Sequence, residues 1–222
     1  MKQLINSLRA RRWSHVMVAN LRILLGFAFV PAGLKKVIYQ PFTDPQNTGA
    51  FHEFLHSFYA TGVFYQFVGG VQLLIAVLLM TQTFATLGAL MALPVITAIT
   101  VFCWSTGVIP TATVATMMLA GTLALIAWDM DRWLTIVFPH FHALPADETA
   151  SSLIDLALWR ACGIGILAVY GISCLLYGGV YRPKGMDLSH PAFYALFLVL
   201  LFPVGTLFLE QRRCSRKRRT TA

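Results

Sequence analysis

The chain has 222 residues, of which 57% are hydrophobic and only 12% charged, with a net charge of +8 and a mean hydropathy of +0.68. A soluble domain carries about twice that share of charge and divides its apolar residues into short periodic stripes, so this composition excludes both disorder and an ordinary soluble globule. Apolar runs here approach the ~20 residues that cross a bilayer, and the length allows about six spans with short loops and no separate soluble domain.

The predicted spans, in chain order, run from Val16 to Ile38, Gly62 to Met80, Phe84 to Trp104, Val108 to Ala127, Leu156 to Tyr177 and Pro191 to Leu209. The first is broken by Pro31, ends in Lys35 and Lys36 and is followed by no small-x-small cleavage site, so it reads as a retained span rather than a cleaved signal. Turns at Thr81 to Thr83 and Ser105 to Gly107 are short enough to make spans two, three and four antiparallel neighbours. Two longer connections remain. Gln40 to Thr61 includes an aromatic and His-bearing stretch, Gly49 to Tyr59, expected as a short interfacial helix, and Trp128 to Asp155 carries most of the acids with His140 and His142.

Positive charge gathers beside the outermost spans: Arg9, Arg11 and Arg12 before the first, and Arg212, Arg213, Arg216, Lys217, Arg218 and Arg219 after the last. That distribution argues for cytoplasmic flanks meeting anionic lipid, not for a nucleic-acid surface. Both termini are therefore expected in the cytoplasm of a multi-pass protein of the bacterial inner membrane, with an even number of spans and the two long connections on opposite sides. Small residues at helical spacing predict packing faces at Ala85, Gly88 or Ala89, and Ala92 on span three, and at Ala161, Gly165 and Ala168 on span five.

Polar residues inside the spans are the candidate functional groups. Arg22, Gly26, Phe29, Gly33 and Lys36 follow helical spacing on one face of span one, and Tyr65, Gly69, Gln72 and Ala76 do so on span two. Twelve residues separate Arg22 from Lys35. That is about 18 Å of helix against ~30 Å of hydrocarbon, so the cations either snorkel or face the bundle interior. Span five adds Arg160, Gly163, Tyr170, Cys174 and Tyr177. Together these faces suit a narrow cavity for an amphipathic molecule, with Arg22 and Lys36 on polar oxygens and Gln72 on a carbonyl.

His52-Glu53-Phe54-Leu55-His56 spells H-E-x-x-H, in which two His one turn apart hold zinc and the Glu activates water. A catalytic zinc needs a third ligand, and only Asp44, Asp187 and His190 are expected on the same side, so an interfacial helix that happens to carry the pattern is the competing reading. Cys103 and Cys174 fall in the outer part of their spans, either as a redox pair or as isolated buried thiols. No C-x-x-C-H or G-x-G-x-x-G run marks a haem or dinucleotide site, and no internal repeat is evident.

The runs Leu24 to Lys36, Tyr65 to Pro94 and Trp128-Asp129-Met130-Asp131-Arg132 resemble the DoxX family of small bacterial membrane proteins, over roughly residues 18 to 137. The resemblance implies an all-α four-helix membrane core, here residues 16–137, with some relatives tied to quinone-linked sulfur oxidation or redox complexes. Around that core lie a basic flank (1–15), a cytoplasmic loop (138–155), two additional spans (156–210) and a basic tail (211–222). The leading expectation is an accessory subunit of a redox system, without catalysis of its own. It would bind a quinone or lipid-like molecule through Arg22, Lys36 and Gln72, beside membrane lipids and a redox partner protein. A zinc hydrolase built on His52, Glu53 and His56, and a small-solute transporter, are the alternatives.

Overall fold

The computed structural model describes residues 7–137, 154–176, 179–180 and 201–213. Seven helices have both ends within that range: α1 (Arg12–Val37), α2 (Ala50–Ala60), α3 (Val63–Met80), α4 (Ala85–Ser105), α5 (Ile109–Trp128), α6 (Met130–Val137) and α7 (Leu156–Leu176). Residues 201–213 are also helical. Among the described residues, α1, α3, α4, α5 and α7 are long and apolar enough to cross a membrane, so this is a multi-pass helical membrane protein. The expected sixth span lies partly outside the described residues, as do His140, His142, Tyr177, Asp187, His190 and the tail from Arg216.

The chain divides into two compact units. One draws on Leu21–Leu79 and Phe84–Leu144, and the other on Met1–Asn20, Met80–Thr83 and Pro145–Ala222. In the first unit α1, α3, α4 and α5 close a ring of neighbours. A Cβ built at Gly33 of α1 would sit 2.9 Å from the Gly69 carbonyl oxygen of α3, one at Gly88 of α4 would meet Leu78 and Leu79 of α3, and one at Gly121 of α5 would meet Leu21 and Leu25 of α1. On the remaining side Trp104 of α4 donates its indole N–H to Thr116 of α5 at 3.0 Å. Close approach through small residues is how helices associate where lipid supplies no hydrophobic drive. The expected face of α4 is the buried one, extended to Ala85, Gly88, Ala89, Ala92, Ile96, Thr100 and Cys103. Large apolar residues such as Phe67, Leu87, Val101 and Met117 point outward, a distribution that only a lipid surround tolerates.

In the second unit the packing face of α7 differs from the expected one. Ala161 and Ala168 are exposed, and the buried stripe is Trp159, Cys162, Gly163, Ile166, Tyr170 and Cys174. Gly163 decides the register. A Cβ there would run into the carbonyl oxygen of Met80, a residue of the same unit, so only glycine fits at this point. Gly165 does pack as a small residue, beneath the Phe202 ring. Size alone could not distinguish which small residues face a neighbour and which face lipid.

Candidate functional site

The Gly33 to Gly69 crossing places the polar groups one turn further along each helix. Lys36 follows Gly33 by three residues, and Gln72 follows Gly69 by three. With no Cβ on either glycine the backbones approach closely enough for Lys36 Nζ to donate to Gln72 Oε1 at 3.0 Å. Lys36 is 6% exposed and Gln72 2%. The ammonium also donates to the Ala32 carbonyl at 3.2 Å, so the side chain runs back toward the start of α1 and into the bundle. Snorkelling would send it the other way, toward the interface. That reading is corrected for Lys36.

Aromatic rings enclose the ammonium. Its nitrogen stands 4.5 Å from the Phe42 ring centroid and 5.9 Å from that of Tyr65, within cation–π range. Tyr65, fully buried, fixes the wall by donating its hydroxyl to the Gln40 carbonyl at 2.8 Å. The backbone reaches Phe42 through a Schellman end on α1, in which Tyr39 N–H bonds the Lys36 carbonyl and Gln40 N–H bonds that of Lys35. Tyr39 occupies the left-handed position usually taken by glycine, with φ of 55°. A stack on Tyr59 of α2, with centroids 4.6 Å apart, helps hold it there.

Gln72 carries the most informative feature. Its oxygen faces the ammonium, the only sensible orientation for an amide beside a group with no acceptor. Its Nε2 then makes no hydrogen bond among the described residues. That nitrogen is not fully enclosed, so among the described residues its two N–H groups open beside the ammonium and the two rings.

Arg22 is placed elsewhere. It lies fourteen residues before Lys36, about 21 Å along the helix. Its Nη2 donates to Asp129 Oδ2 at 2.7 Å, and Thr86 Oγ1 donates to the same oxygen at 3.0 Å. Arg22 is 7% exposed and Asp129 4%. This ion pair ties α1, α4 and the end of α5, and here too the cation stays inside the bundle. The structure thus brings Lys36 and Gln72 together and sets Arg22 apart on its own acid. Asp129 was legible in principle: a cation inside a span calls for an acid at the same membrane end, and Asp129 is the first acid after span four.

The H-E-x-x-H residues lie on α2, whose aromatic face covers this end of the bundle. Phe51 and Phe54 pack on Phe102 of α4, and Phe58 packs edge-on to Tyr65. His52 Nδ1 is 2.6 Å from Thr43 Oγ1, His56 Nε2 is 3.4 Å from the Asn47 carbonyl, and Glu53 is exposed. Both rings therefore brace the loop that presents Phe42. Among the described residues no three His, Cys, Asp or Glu side chains converge as a metal-binding group.

In the second unit Arg160 is exposed and so leaves the inward stripe proposed for span five. Among the described residues Cys103, Cys162 and Cys174 are buried free thiols. Sequence reasoning also missed Glu210. Only 2% exposed, it accepts from the Trp159 indole at 3.0 Å and pairs with Arg12 at 3.5 Å. Comparison with protein-family models, with curated proteins and with solved structures gives no match.

Proposed function

We propose that the chain is an accessory subunit of a redox or quinone-linked system in a bacterial inner membrane, with both termini cytoplasmic, and that it holds a quinone or a similar oxygen-bearing amphiphile at the Lys36 and Gln72 site. The observation that carries this reading is the Gln72 amide, whose oxygen takes the Lys36 ammonium at 3.0 Å while its Nε2, not fully enclosed, makes no hydrogen bond among the described residues. Both groups are donors. They suit a ligand carbonyl, and the rings of Phe42 and Tyr65 suit the flat apolar body attached to it. Arg22 has a structural part in this account, as the clasp on Asp129. A partner protein supplies the electron-transferring group, in keeping with the DoxX resemblance of residues 18 to 137.

Gentle purification followed by mass spectrometry of co-purifying quinones, lipids, metals and polypeptides tests the reading. A quinone near one per chain in the wild type, lost from Gln72→Leu, is expected. Stoichiometric zinc with no quinone would replace this account with the hydrolase.

A further inference from the structure

Arg160 is a charge in an unusual place. It is the fifth residue of the membrane-spanning helix α7, and it is exposed. Its Nε donates to the Thr81 carbonyl at 3.2 Å, which anchors the guanidinium beside the turn that follows α3. Among the described residues the remaining N–H groups of Arg160 make no hydrogen bond and no ion pair. The acid nearest in sequence, Asp155, is engaged by Arg213 at 2.5 Å. Along the same helix face Ala161, Ile164, Ala168, Ile172 and Leu175 are all exposed. An apolar outer face in a membrane helix meets acyl chains, and a cation at its head meets phosphate.

We infer that Arg160 and the outer face of α7 form a binding site for one anionic phospholipid, with the phosphate on the free edge of the guanidinium and an acyl chain along Ile164, Ala168 and Ile172. Charge complementarity selects this occupant over an apolar helix, which would bury the cation with no acid to meet it. The bond to Thr81 orients the planar fork in advance, so the Nη groups are presented to a phosphate with little further ordering.

Native mass spectrometry of the purified full chain, titrated with phosphatidylglycerol or with phosphatidylcholine, tests the assignment. The wild type should bind phosphatidylglycerol about tenfold more tightly than phosphatidylcholine. Arg160→Gln should remove that preference, and Arg160→Lys should keep part of it. Should Arg160→Gln fail to stay monodisperse, Ala168→Trp decides. It blocks the acyl path and leaves the arginine in place, and a severalfold loss of phosphatidylglycerol binding is expected. A preference unchanged in Arg160→Gln, a wild type indifferent to the headgroup, or unaltered binding in Ala168→Trp would each overturn the site.

Discussion

Two cations stand on one face of α1, and they are used differently. Arg22 meets a carboxylate, Asp129, which a threonine also supports, and the three side chains come from three elements. Lys36 folds back onto an amide and between two rings, and the amide nitrogen makes no hydrogen bond among the described residues. A charge matched to an opposite charge across helices holds a bundle together, whereas a cluster of donors beside apolar walls presents a recognition surface. On the reading proposed above, the first region serves stability and the second ligand binding, and the contrast can be broken at several points.

The largest effect is expected at the clasp. Asp129→Ala leaves the Arg22 guanidinium buried without its acid and should cost about 3–5 kcal/mol, while Arg22→Met combined with Asp129→Leu should recover most of that loss. Thermal unfolding in detergent measures both. A single variant as stable as the wild type would remove Arg22 from the structural side of the comparison.

The glycine crossing should come next, and it joins the two properties. In Gly69→Ala the new Cβ would stand 2.6 Å from Lys36 Cβ and 2.8 Å from the Gly33 carbonyl, so the helices must part. A destabilisation of about 1–3 kcal/mol is expected, with loss of quinone binding in the same protein. Stability and binding that both survive would show that the close approach does not set the site.

Substitution of the site itself should spare the fold. Lys36→Gln and Gln72→Leu are expected to lower ligand affinity about ten- to a hundredfold, while melting changes little. Equal tolerance at positions 22, 36 and 72, with normal expression, would leave only a packing scaffold. The smallest effect belongs to Glu53→Gln on α2, where an exposed carboxylate should shift stability by no more than about 0.5 kcal/mol and leave binding alone. A large loss of activity there would bring back the hydrolase.

Much of this arrangement could be read from spacing. The face shared by Arg22, Gly26, Phe29, Gly33 and Lys36 is buried throughout, and so is that of Tyr65, Gly69, Gln72 and Ala76, because a helical period is a local property of the chain. The choice of Lys36 over Lys35 follows from the same register. What spacing could not supply was the partner of each residue. Asp129 lies 107 residues from Arg22, and no local rule joins them. The Tyr39 turn was hidden because the left-handed position carries a tyrosine where glycine is usual. The face of α7 was misread because Ala161, Gly163, Gly165 and Ala168 are all small, and the residue that a backbone touches is fixed by the fold.

The central claim is that Lys36 and Gln72 bind an oxygen-bearing amphiphile while Arg22 and Asp129 do not. Titration of a short-chain quinone into the purified protein, for the wild type, Lys36→Gln and the Arg22→Met, Asp129→Leu pair, tests it most directly. The account predicts saturable binding of similar affinity in the wild type and the double variant, and at least about tenfold weaker binding in Lys36→Gln. Loss of binding in the double variant with the fold intact, or equal binding in all three, would contradict it.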